Sequence, residues 1–157
     1  MKITILVIGK TGKGFVDQGI VEYLKRLKRY IKVDFEVIPD VKNSKSLSVD
    51  QLIQKEEELL LVSLSGRTDV VLLDERGKGL SSVELSNFLQ TKMLSSTKEL
   101  VFVVGGAYGV SDSVKSRVKD HFSVSRLTFS HQMVRLVLVE QLYRAMTIIR
   151  GEPYHHE

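Results

Sequence analysis

The chain contains no cysteine. That excludes disulfides, thiolate metal sites, iron–sulfur clusters and thiol catalysis together. Proline is nearly as scarce, at two residues, and no low-complexity run occurs, so nothing marks a linker or a disordered tract. A long uncharged apolar run is missing as well. The most apolar stretch, Met133 to Ile149, carries Arg135, Glu140 and Arg144, which argues against a membrane span. The opening apolar run, Ile3 to Ile8, is interrupted by Thr4 and followed by Gly9-Lys10 where a signal peptide would place a small-residue cleavage site. With neither signal nor cysteine, a cytoplasmic location is expected. What remains is 157 residues with 43% apolar and 27% charged side chains, the size and composition of a single domain, 1–157, with a core of its own.

Charge is unevenly spread within a net of +4. Residues 1–32 hold eight Lys/Arg against Asp17 and Glu22, and residues 115–150 hold seven against Asp120 and Glu140. Residues 33–114 hold eight against thirteen acids. Two basic ends around an acidic middle suit either a polyanion partner such as nucleic acid or a plain solvated surface.

Hydrophobic patterning predicts alternating strands and helices. Residues 2–9 read as a buried strand. Val16, Ile20, Tyr23, Leu24 and Leu27 share one helical face, opposite Lys25, Arg26, Lys28 and Arg29. Val33, Phe35 and Val37 alternate with Asp34 and Glu36, a second strand ended by Pro39, and residues 40–47 read as a polar loop. Ser48 with Gln51 and Ser81 with Glu84 fit capping boxes, opening helices over about 49–64 and behind Ser81. Strands are expected at 70–73 and 100–104, a short helix from Ser111, and a weaker strand over 122–129. The last helix, 132–150, is apolar on most faces, which suggests burial on its own sheet and on a second surface, most simply another copy of the chain. The expected fold is α/β, a parallel sheet covered by helices on both faces.

In such sheets ligands bind beyond the carboxyl ends of the strands. The first exit, Gly9-Lys10-Thr11-Gly12-Lys13-Gly14, matches neither G-x-G-x-x-G nor a Walker A loop and reads as a flexible basic turn. At the third, Asp74 could be a phospho-acceptor, but the acids that chemistry needs after the first strand are replaced by Gly9 and Lys10, leaving a mobile charged loop. At the fourth, Gly105 to Gly109 would let backbone approach a ligand. A dinucleotide fingerprint would stand after the first strand, so NAD is not expected. At the fifth, Ser130 can cap the last helix. Three of four histidines lie beyond residue 130, without the spacing of a metal site. Glu140 and Arg144 stand at i, i+4, either an ordinary ion pair or charges facing a shared site.

Two runs carry more information than any single loop: FVVGGAYGV, and LTFSHQMVRLVLVEQLYRAMTIIRGEPYH. Together with the chain length, the opening strand, the EYLKR helix and the closing PYH, they resemble the RlmH-type methyltransferases of the SPOUT superfamily over the whole chain. The resemblance implies methylation of N3 of a pseudouridine in 23S ribosomal RNA of the large subunit, with S-adenosylmethionine as donor and assembled ribosomes as the setting. It implies a C-terminal deep trefoil knot and a homodimer with each active site at the interface. Carried to matching positions, the methyl donor would lie against Leu73, Gly105 and Val124, Ser125, Arg126, Leu127, Thr128 and Phe129. The RNA-facing residues would be His131, Arg135, Glu140, Tyr143, Arg144, Tyr154 and His155. Ser130 stands where the family usually has Pro, and His156 where it usually has a basic residue.

Methyl transfer from a sulfonium is an in-line displacement that needs neither metal nor covalent enzyme intermediate. The enzyme must hold the reactants together and remove an N3 proton too weakly acidic to leave at neutral pH. His155 is the expected base, directly or through water, because imidazole titrates near neutrality. Tyr154 would position its ring, with Glu140 and Arg144 ordering the tail. Lys25 to Lys32, on the first helix, would contact phosphates. Two other classes stay open on the residues alone: a nucleotide-binding enzyme of another reaction type, and a non-catalytic RNA-binding module.

Overall fold

The computed structural model describes residues 1–156, in which five parallel strands alternate with five α-helices. In chain order these are β1 (Lys2–Ile8), α1 (Phe15–Leu27), β2 (Lys32–Ile38), α2 (Val49–Ser63), β3 (Val70–Gly79), α3 (Ser82–Leu94), β4 (Glu99–Val104), α4 (Asp112–Arg117), β5 (Asp120–Ser123) and α5 (His131–Arg150). The sheet order is β2-β1-β4-β3-β5. β1 and β4 lie at its centre, buried on both faces, which is why they read as continuous apolar runs.

Alternation along those strands divides the core. Ile3, Ile5, Val7, Leu100 and Phe102 face a layer with Leu138, Leu142 and Ala145 of α5, alongside α1 and α3. Leu6, Ile8, Val101 and Val103 face the opposite layer, against Leu60 of α2 and Val114 of α4. Each large aliphatic removed from water in this way contributes roughly 1.5–3 kcal/mol. Both capping boxes form in full, Ser48 with Gln51 and Ser81 with Glu84, so α2 and α3 begin where the sequence places them. No helix among the described residues is long and apolar enough to cross a membrane.

The structure departs from expectation in three places. The fifth strand stops at Ser123 rather than reaching 129. Ser123 Oγ donates to the Ser125 carbonyl (2.7 Å) and Ser125 Oγ accepts from Leu127 N–H (2.9 Å), turning the backbone out of the ladder. Conversely β3 runs on to Gly79, with a register break against β5 between Leu73 and Lys78, so Asp74 to Lys78 belong to a bulged strand and not a mobile loop. Gly77 permits this, because a Cβ there would stand 2.7 Å from the Phe122 backbone. Finally, α1 ends at Leu27, so of the basic stretch only Lys25 and Arg26 are helical. Lys28 and Arg29 lie in the following turn and Lys32 opens β2.

After β5, at one edge of the sheet, the chain crosses the ends of β3 and β4, because the start of α5 bonds to the end of β1. That crossing segment, residues 124–130, forms the outer wall of the site.

Candidate active site

β3 and β4 are neighbours, yet their following helices leave on opposite faces: α3 packs with α5, α4 with α2. The strand ends therefore part at a topological switch point, where an open α/β sheet leaves a crevice. A cavity of about 400 Å³ occupies that crevice. Its floor includes Leu73 and Val104, one side is the glycine loop after β4, and residues 124–129 and the first turn of α5 close it.

Seven of the eight positions expected at a methyl donor line this cavity: Leu73, Gly105, Val124, Ser125, Leu127, Thr128 and Phe129. Arg126 does not; its side chain is exposed and outside the lining, since the Ser123–Ser125–Leu127 turn sends it outward. Gly105 is required by the tightness of the loop, because a Cβ would stand 2.9 Å from Val110 and 3.2 Å from the Gly109 backbone.

Two charged residues at the cavity have no counterpart in the sequence reading as a pair. Asp74 accepts the Arg76 N–H (2.9 Å) and pairs with Lys115 (3.5 Å). Burial alone would raise its pKa, but the Arg76 bond and the Lys115 charge outweigh it and hold the carboxyl below its ordinary value. Their partnership joins β3 to α4, a tertiary contact that no local pattern announces. The cavity thus combines apolar walls, glycine-loop backbone and a fixed carboxylate–ammonium pair. Glu75 also lines it, and the volume is that of a small-molecule site.

The first turn of α5 begins at Ser130, whose Oγ accepts Met133 N–H (3.3 Å), so the serine caps the helix. His131 lines the cavity, and burial first, then the Arg135 charge, depress its pKa and favour the neutral imidazole. Arg135 is not RNA-facing. It is fully buried, donating to the Ile8 carbonyl (2.5 Å), the Gly9 carbonyl (3.0 Å) and Thr11 Oγ1 (3.0 Å). A guanidinium fork matches several acceptors at once, and here it ties the end of β1 to α5. Gly9 has φ +75°, and a Cβ on it would collide with Asp40.

Glu140 lies nine residues beyond His131 on α5, about 14 Å at the helical rise, and outside the cavity lining. Its carboxylate accepts from Arg144 Nη2 (2.6 Å), Gln141 Nε2 (2.7 Å) and Tyr154 OH (3.1 Å). With its proton on Glu140, Tyr154 accepts from Tyr23 OH (3.2 Å). Burial, the Tyr23 bond and the Glu140 charge all push the Tyr154 phenol well above its ordinary value, so it stays protonated. Arg144 stacks over the Tyr154 ring at 4.8 Å. Tyr143 packs its edge or tilted ring on Tyr23, Tyr30 and Tyr154. Tyr30 donates to Glu152 (2.5 Å), which raises its pKa to about 12 and pins the tail to α1. The tail carrying half-buried His155 is therefore docked. Within one chain, however, Glu140, Arg144, Tyr154 and His155 gather on the far part of α5 and do not meet the cavity.

Behind the glycine loop stands Glu56 of α2, 8% exposed, its Oε2 2.5 Å from where a Gly106 Cβ would be. Burial, then repulsion from Asp40, raises its pKa above the ordinary 4.5. A raised carboxyl pKa penalises the fold above that value and not below the unfolded one. Glu56→Gln should therefore melt above wild type near neutral pH, with the difference closing as pH falls below about 4.5. Paired thermal melts across that range check it.

A family model described as predicted SPOUT methyltransferase matches residues 1–155. A protein of Parabacteroides distasonis named ribosomal RNA large subunit methyltransferase H is 52% identical over 157 residues, covering 100% of both chains. One of the same name from Bacteroides thetaiotaomicron is 50% identical with the same coverage. Among solved structures, a probable methyltransferase from Bordetella pertussis Tohama I superposes with a TM-score of 0.58 at 9% identity, over 92% of this chain and 95% of the other, a likeness of fold alone.

Proposed function

The chain belongs to the SPOUT methyltransferase family, and from that premise we propose that it methylates N3 of a pseudouridine in 23S ribosomal RNA, using S-adenosylmethionine, in the cytoplasm and on assembled ribosomes. The observation that carries the reading is the cavity at the β3/β4 switch point, whose lining gathers seven of the eight expected donor-binding positions. Leu73, Gly105 and residues 124–129 other than Arg126 would hold the adenine end through backbone and apolar contact, and Asp74 with Lys115 would face the charged arm. Bound there, S-adenosylmethionine supplies a methyl group on a sulfonium, open to in-line displacement.

The chain's own residues do the rest. His155 accepts the N3 proton, directly or through water. Tyr154, kept protonated and fixed by Glu140 and Tyr23, positions the tail. Arg144, bonded to Glu140 and stacked on Tyr154, keeps both in place. The distance of these groups from the cavity along α5 supports a homodimer in which the tail of a second copy reaches the cavity of the first. We also propose a C-terminal trefoil knot, a reading that the crossing of residues 124–130 beyond the ends of β3 and β4 supports. Lys25, Lys28 and Arg29, all exposed, remain available to phosphates, whereas Arg26 is held by Glu22 (2.9 Å).

Incubation of the protein and S-adenosylmethionine with large-subunit ribosomal RNA and ribosomes from a strain lacking the gene tests this reading. Transfer of one methyl to a single pseudouridine is expected. Donor binding without transfer to any RNA would contradict it.

A further inference from the structure

The loop between β1 and α1 displays exposed cationic and aromatic side chains while its backbone is fastened from beneath. Arg135 holds Gly9 and Thr11. Gln132 accepts from Gly12 N–H (3.1 Å) and donates toward the Lys10 carbonyl (3.4 Å). The basic turn that the sequence suggested would be flexible is thus bound to α5 at four of its residues. Its outward side chains are Lys10, Lys13 and Phe15, all exposed, and Phe15 leaves 72% of its surface open. Neither lysine takes part in an ion pair among the described residues. The loop is also coupled to the cavity wall: Gln132 Nε2, which meets Lys10, lies 3.1 Å from His131 Nε2, and His131 lines the cavity.

We propose that Lys10, Lys13 and Phe15 form a contact for the RNA strand flanking the target nucleotide, the lysines on backbone phosphates and Phe15 stacked on an unpaired base. Six residues reach at most about 20 Å when extended, so one short stretch of strand meets all three. Backbone-tracking cations beside an exposed aromatic ring are the chemistry of single-strand recognition. A plain solvated loop would explain the lysines but neither the large exposed ring nor the four-point attachment to the helix that lines the cavity. The contact rests on the methyl-transfer reading and names where its substrate is gripped.

The test measures binding of large-subunit ribosomal RNA over a range of salt, with S-adenosylmethionine binding and sedimentation alongside. The double variant Lys10→Ala, Lys13→Ala should flatten the slope of log affinity against log salt by about 1.4–1.8. Phe15→Ala should weaken RNA binding roughly tenfold, and Phe15→Trp should restore it. Donor affinity and oligomeric state should not change. Unaltered RNA affinity and salt slope would overturn the contact, and so would a shift in oligomeric state with Phe15→Ala, which would assign the ring to a second copy. Wild-type methylation with indifferent variants removes the loop contact alone, whereas a wild type that binds no RNA removes the methyl-transfer reading with it.

Discussion

Replacing His155 with Ala should slow methyl transfer by roughly two to four orders of magnitude, the range a positioned general base supplies. Donor binding should be untouched, since His155 is not among the residues that line the cavity. RNA affinity should change little. Single-turnover transfer measured beside donor calorimetry separates these effects, and unchanged turnover would remove His155 from the mechanism. Tyr154→Phe makes a graded comparison. It deletes the hydroxyl that donates to Glu140 and meets Tyr23 but keeps the ring beneath Arg144. Its loss should be smaller than that of His155→Ala, because positioning is weakened while the base survives.

Replacing Arg135 with Met should destabilise the fold by about 2–5 kcal/mol, the range for breaking a buried hydrogen-bond network. At fixed protein concentration that corresponds to roughly 4–20 °C in Tm. The methionine restores much of the volume but leaves the carbonyls of Ile8 and Gly9 and the Thr11 hydroxyl without their donor. Part of the loss is offset, because burying the guanidinium itself opposes its charge, as its lowered pKa indicates. Lys should not rescue it, since one ammonium cannot reproduce the fork. Thermal melts of wild type, Arg135→Met and Arg135→Lys decide the matter. A surface role for Arg135 would leave all three alike.

The case of Arg135 also shows where sequence reading stops. On a helix, an arginine among apolar residues has the same signature whether it points to RNA or inward to three oxygen acceptors; only the fold brings Ile8, Gly9 and Thr11 beneath it. Local grammar was far more legible. Ser48, Ser81, Ser111 and Ser130 each cap the helix expected of them, because capping depends on residues three apart. Strand limits were less so. Ser123 and Ser125 end β5 through side-chain bonds to backbone, where apolar spacing alone continued the strand. The cavity positions came from the resemblance over the whole chain, and Asp74 with Lys115 could be joined only once β3 and α4 were in place. The separation of His155 from the cavity is set by where the tail docks in three dimensions, and no helical periodicity encodes it.

The proposed sharing of the site between two chains makes one experiment decisive. Thr128→Trp places a large ring in the cavity from an exposed lining position and should abolish donor binding. His155→Ala keeps the cavity and removes the base. Each variant alone should be inactive. Mixed in equal amounts and allowed to exchange subunits, half the dimers become heterodimers, and each of those combines one intact cavity with one intact tail. Methyl transfer should then recover to about a quarter of the wild-type rate, as random pairing into two-fold dimers requires. A mixture no more active than its parents would contradict a site shared between two chains.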